Sequence, residues 1–155
     1  MDKNEEEFVH FVSCIQWLNN CWCLLQLIKD QKNNPLVGSS FRFALIEYSK
    51  PYTKSYGKHK PHILDNSYVP VDFKALHETI LISRKKIHAH FDLGLLEAKL
   101  YFHEIQGQRF YGIVQNQITG LEELPKINEI IKLVEGTLEN MYEKENKLLE
   151  LWNTE

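Results

Sequence analysis

The stretch Pro125–Trp152, PKINEIIKLVEGTLENMYEKENKLLELW, decides the fold. Ile127, Ile130, Ile131, Val134, Leu138, Met141, Tyr142, Leu148, Leu149 and Trp152 recur at steps of mostly three and four. That period lays one apolar stripe along a helix, and the Glu and Lys between them form its wet face. The helix is expected to start near Pro125 or Asn128. Gly136 interrupts it at a cost of about 1 kcal/mol relative to Ala, which predicts a close approach by another helix. The charged segment Glu143–Glu150 reads as a solvated face, with coiled-coil dimerisation as the second reading.

Three more helices are expected before it. Asn4 is placed to cap the first, and Phe8, Phe11, Val12, Ile15, Leu18, Trp22 and Leu25 carry its stripe to about Ile28. Ser39 or Ser40 caps a second helix holding Phe41, Phe43, Ala44, Leu45, Ile46 and Tyr48, which Pro51 ends. Asp72 caps a third, with Phe73, Leu76, Ile80, Ser83 and Ile87 facing the core and His77, Arg84 and His88 in the column beside them. The runs Leu100–Ile105 and Arg109–Val114 flank Gln106-Gly107-Gln108 and read as a β-hairpin. A lone hairpin is marginal, so it must pack on helices or on a partner. The expected fold is all-α, a four-helix up-and-down bundle with a β-hairpin inserted before the last helix, in a single domain over residues 1–155.

The chain of 155 residues carries a formal net charge of −3, so nucleic-acid contact would need a local basic patch. Pro51–Pro70 is the most basic and aromatic region, with Lys54, Lys58, Lys60, His59, His62, Tyr52, Tyr56 and Tyr68. It reads either as a mobile surface loop or as one that touches phosphates and stacks on bases. The acidic start at Asp2, Glu5, Glu6 and Glu7 is unlike a signal peptide, and no apolar run approaches the ~20 residues of a membrane span. A cytoplasmic protein with no membrane partner is expected. Cys14, Cys21 and Cys23 sit in one helix as an odd set, which predicts reduced thiols. His10, Cys14 and Cys21 share a helix face, and such cysteines are usually small buried hydrophobes rather than metal ligands.

The chemistry concentrates in Arg84-Lys85-Lys86-Ile87-His88-Ala89-His90-Phe91-Asp92. An imidazole moves protons near neutral pH, a guanidinium neutralises charge growing on phosphorus, and a carboxylate fixes the imidazole tautomer. Those groups suffice to cleave a phosphodiester without metal. The competing reading is a helix C-terminus whose cations complement the macrodipole. His88-Ala89-His90-Phe91-Asp92 also spells His-x-His-x-Asp, a zinc-ligating string. On a continuous helix, however, residues two apart point about 200° apart and cannot share a metal. No metal and no cofactor are expected. Glu47 and Arg42 on the second helix either line the same cleft or form an ordinary ion pair.

With Arg84 and His90 separated by five residues, and with FRFALIEYSKPY (Phe41–Tyr52) and LHETILISRKKIHAHFDL (Leu76–Leu93), the chain resembles the HEPN superfamily. The branch it resembles is the one associated with abortive phage infection, through Ala89, His90, Phe91 and Asp92. The resemblance covers about residues 5–150 and implies a helical bundle, often a homodimer, whose catalytic members are metal-independent endoribonucleases. It implies that Arg84 stabilises the phosphorane, that His90 is the general base or acid, and that Asp92 supports it. Lys85, His88, His77 and Glu47 are the auxiliary or binding candidates. The residue after the arginine is usually Asn, Asp or His in that superfamily. Lys85 binds phosphate but accepts no hydrogen bond, so it cannot orient Arg84. RNA is the expected partner of an endoribonuclease acting as a toxin or in phage defence. The alternative is a catalytically silent HEPN-like dimer that binds RNA or a partner protein such as an antitoxin nucleotidyltransferase.

Overall fold

A capping box opens the first helix, α1 (Lys3–Ile28). The Asp2 side chain accepts from the backbone N–H groups of Asn4 and Glu5, and Glu5 accepts from that of Asp2. Asp2 therefore caps where Asn4 was expected, because only Asp2 lies one residue outside the helix. The computed structural model describes residues 1–31, 33–85, 97–115 and 120–152. Four α-helices appear among them: α1, α2 (Val37–Ser49), α3 (Lys74–Ser83) and α4 (Ile127–Trp152). The protein is mostly helical, with small antiparallel hairpins between the helices.

α1 is the spine, packing on both α2 and α4. Cys14, Leu18, Cys21 and Leu25 are fully buried, against Phe41, Ala44, Leu45 and Tyr48 of α2 and Ile130, Leu133, Val134 and Met141 of α4. Removing side chains of this size from water stabilises by about 1.5–3 kcal/mol each for the larger ones. Polar ties fix the α1–α4 register: Trp22 Nε1 donates to Glu135 at 2.8 Å and Asn19 Nδ2 to the Tyr142 hydroxyl at 2.7 Å. Over its length α1 is also apolar enough to cross a membrane, with a window of mean hydropathy 1.2 that is 33% buried. All three cysteines are free thiols, Cys14 and Cys21 buried and Cys23 exposed.

Two other expected caps also differ. α2 starts at Val37 after Leu36, which offers no capping side chain, so Ser39 and Ser40 fall inside its first turn. Asp72 lies in a 3₁₀ turn (Val71–Phe73) that leads into α3, and Phe73 precedes that helix without a side-chain cap. Another 3₁₀ turn, Leu124–Lys126, leads into α4, close to the predicted start. Gly136 does mark a close approach, but by a loop: a Cβ there would stand 2.8 Å from Pro70 Cγ.

The segment 51–70 is structured. β1 (Ser55–Tyr56) and β2 (Pro61–His62) pair antiparallel, and a 3₁₀ turn follows at Asn66–Tyr68. The predicted hairpin is present as β3 (Lys99–Ile105) and β4 (Gln108–Val114), in register from Lys99 opposite Val114 to Ile105 opposite Gln108. Its turn residues Gln106 and Gly107 both have positive φ, 52° and 78°. That is the pattern of a type I′ turn, whose twist matches the strands. Every residue of both strands is exposed except the half-buried Gly112.

Candidate functional site

α3 carries His77, and Arg84 caps its C-terminal end seven residues on, close to the same face and roughly 10 Å along the axis. His77 is 1% exposed, so it belongs to the core rather than to the edge predicted for it. Its Nδ1 meets the Tyr48 hydroxyl at 2.7 Å, and the Tyr52 ring stands edge-on at 4.4 Å. Among the described residues, His77 Nε2 and the Tyr52 hydroxyl are buried without a hydrogen-bond partner. Burial lowers the His77 pKa, with the Glu78 charge opposing, and burial first of all raises that of Tyr48 well above 10. The imidazole is therefore neutral in the working range and sealed from solvent. It joins α2 to α3 and is not placed to trade protons with a substrate.

Arg84 closes α3. Its backbone N–H bonds to the carbonyls of Ile80 and Leu81, and Arg84 and Lys85 continue in π geometry. Wide turns of this kind are frequent at functional positions. The Arg84 guanidinium is half-buried, and its Nε has no partner among the described residues. Next to it, Ser83 Oγ donates to Glu123 Oε1 at 2.5 Å, while the buried Glu123 Oε2 is unpartnered. Lys85 is exposed. His88, His90 and Asp92 lie outside the described residues, as does Ile87 of the predicted stripe. Glu47 is 2% exposed and faces α1, accepting from Asn20 Nδ2 at 3.4 Å and pairing with Lys50. It forms a groove wall with Trp17 and Asn20 and does not join Arg84.

A second buried polar cluster escaped the sequence reading. Glu6, at 4% exposure, receives His62 Nε2 at 2.6 Å, the Lys58 N–H at 2.8 Å and the His59 N–H at 3.2 Å. The His62 bond first, then the backbone donors, hold the Glu6 carboxyl down to about 2 against the opposing cost of burial. Gly57 closes the cluster so tightly that a Cβ there would overlap Glu6 Oε1 and His62 Nε2. The His10 ring stacks on His62 at 5.1 Å, and its pKa is lowered by burial and then by the His62 charge. Cys14 Sγ lies 3.7 Å from His10 Nε2, but burial pushes its thiol up to about 12. It is an inert hydrophobe, not a nucleophile. The cluster is an anchor for the β1–β2 segment. It also occupies the basic loop, since Lys60 pairs with Glu7 at 2.6 Å and Lys54 lies over the Tyr56 ring.

Among the described residues no group of three or more His, Cys, Asp or Glu is arranged to hold a metal ion. The groove lined by Asn4, Phe8, Phe11, Tyr68 and Leu148 includes none of the predicted site residues. Comparison of the chain with protein-family models, with curated proteins and with solved structures gave no match in any of the three.

Proposed function

We propose that this chain is a HEPN-like, metal-independent endoribonuclease, with Arg84, His90 and Asp92 as its working residues and a toxin or phage-defence role. One observation carries the reading: the half-buried Arg84 guanidinium holds an Nε with no partner among the described residues. A buried donor left unpaired costs about 1–3 kcal/mol, more when charged, and a phosphate met by a small movement of this half-buried side chain would relieve that cost. The C-terminal end of α3 favours a cation at that position. The reading takes the four helices as an up-and-down bundle, supported by the packing of α1 on both α2 and α4.

In this mechanism His90 takes the proton of a ribose 2′-hydroxyl, and the 2′-oxygen bonds to phosphorus. The bond from phosphorus to the 5′-oxygen breaks, that oxygen takes a proton from water, and His90 gives its own back to solvent. Arg84 neutralises the pentavalent intermediate, and the products end in a 2′,3′-cyclic phosphate and a 5′-hydroxyl. The test is cleavage of RNA in EDTA. Parent protein should cut RNA but not DNA, and Arg84→Ala or His90→Ala should each lose about 10²-fold or more in rate. EDTA-sensitive cleavage would overturn the reading in favour of a His88–His90–Asp92 metal site.

Lys85 favours a second reading, a catalytically silent HEPN-like protein that binds RNA or a partner such as an antitoxin nucleotidyltransferase. It is exposed and has no acceptor with which to orient Arg84. Lys85→Asn separates the two. Raised activity supports the nuclease; RNA binding without cleavage by both parent and variant supports the silent form.

A further inference from the structure

We propose that the β3–β4 hairpin is a dimerisation arm that docks face to face on the same hairpin of a second copy of this chain, through Leu100, Phe102, Tyr111 and Ile113. The inference stands on the hairpin alone and is independent of the nuclease reading. Eight large apolar residues of the arm are each 45–72% exposed. At roughly 200 Å² for a residue of this size, they leave on the order of 1,000 Å² open over the two faces of the arm, about 500 Å² of it on the face of Leu100, Phe102, Tyr111 and Ile113. That one face matches the largest apolar patch of an ordinary monomer, about 300–600 Å² and often functional. Among the described residues the two strands make their substantial contacts with each other, and a hairpin without a packed face is marginal in water.

The register separates the two faces of the arm. On the first, Leu100 stands opposite Ile113, Phe102 opposite Tyr111 and Glu104 opposite Arg109. Two wholly apolar pairs are thus followed by one acidic–basic pair at the tip. Arg109 also lies over the Phe102 ring, 5.5 Å from its centre. On the second face every pair mixes characters: Lys99 with Val114, Tyr101 with Gly112, His103 with Phe110 and Ile105 with Gln108. The first face is the continuous one, 56–72% exposed at its four apolar residues.

That first face is complementary to itself. A two-fold axis running along the arm, between two copies about 10 Å apart, lays β3 of one over β4 of the other. Leu100 then meets the partner's Ile113, Phe102 meets the partner's Tyr111, and Glu104 meets the partner's Arg109. Each layer matches: aliphatic on aliphatic, aromatic on aromatic, and opposite charges twice at the tip. With the charged rim included, each copy contributes about 600 Å², the lower end for a specific interface, which suits a dimer of micromolar affinity. A nucleic acid would want cations beside the aromatics, and this face pairs its one arginine with a glutamate.

Sedimentation equilibrium of the full chain from 1 to 100 µM tests the proposal. Parent protein should move from the 18.3 kDa of one chain toward twice that mass. Phe102→Glu should raise the dissociation constant at least ~30-fold, the effect of losing a central anchor. Its circular dichroism should be unchanged, because the residue packs on no core. Glu104→Arg and Arg109→Glu should each weaken the dimer roughly 5-fold, and the double swap should restore it. A single-chain mass across the range overturns the proposal. So does a dimer indifferent to Phe102→Glu, a double swap that fails to restore, or a monomer whose binding of labelled RNA is what Phe102→Glu removes.

Discussion

β1 and β2 pair through two residues each, whereas β3 and β4 pair through seven each. Yet the short ladder is fastened to α1, while the strands of the long one are exposed at every residue but Gly112. Beneath β1–β2 lies Glu6, which accepts three hydrogen bonds from its turn and from His62. Beneath β3–β4 lies nothing comparable among the described residues. Whether a ladder holds therefore depends less on its own hydrogen bonds, each worth only about 1 kcal/mol net, than on what its side chains reach.

Acid should break the comparison most completely. The folded pKa of Glu6, about 2, lies below its ordinary 4.5. Its stabilising effect is therefore complete above pH 4.5 and lost as pH falls toward 2. His10 and His77 are held below their ordinary 6.5. The unfolded chain takes up protons that the folded one refuses, so stability starts to decline as pH drops below 6.5. Hydrogen exchange at pH 3 against pH 7 should show the Lys58 and His59 amides losing protection, with β3–β4 far less affected. Equal loss in both ladders would remove the distinction.

Gly57→Ala should come next. The new methyl must displace a Glu6 carboxylate held by its own bonds, a strain of about 1–3 kcal/mol. In a protein of this size that is several degrees of Tm by calorimetry. Gly107→Ala, at φ 78° in the β3–β4 turn, carries a left-handed penalty of about 1 kcal/mol. It should loosen the arm locally while the melting of the helical body stays put. Smallest is Tyr111→Ser, expected within about 0.5 kcal/mol of parent when measured below the dimer range, because the side chain is 72% exposed and its cross-strand neighbour is the exposed Phe102.

The sequence reading succeeded where one element carries its own signal. The apolar stripes of α1 and α4 gave their spans nearly to the residue, and Gln106-Gly107 between β-rich runs gave the arm and its turn. It failed where the deciding partner is distant. Glu6 looked like one acid in an acidic first turn, and its partners lie 52–56 residues away. His77 was placed by helical spacing in the column beside the core stripe; Tyr48 of α2 and Tyr52 just beyond it, four residues on, make its site apolar enough to bury it. Arg84 was found from its neighbours in sequence, but its unpartnered Nε is visible only in three dimensions. The caps slipped for a local reason: Ser39, Ser40 and Asp72 are capping residue types, but a turn began just before each.

The 51–70 segment is gripped in two places. Glu6 of α1 holds its middle, at Lys58, His59 and His62, while Asn140 of α4 donates to the Tyr68 carbonyl at 2.8 Å and Pro70 wedges against Gly136 near its end. It is a strap between the first and last helices, closed by contacts 52–72 residues apart. The α1–α4 ties span still longer separations, 113 and 123 residues. The strap, however, can be gripped from both sides only once those two helices stand together, so it is expected to close after they have met. Interactions absent from the folding transition state leave the folding rate almost untouched and govern how fast the native state comes apart. The strap is thus a kinetic lock, setting how long the assembled bundle survives rather than how quickly it forms.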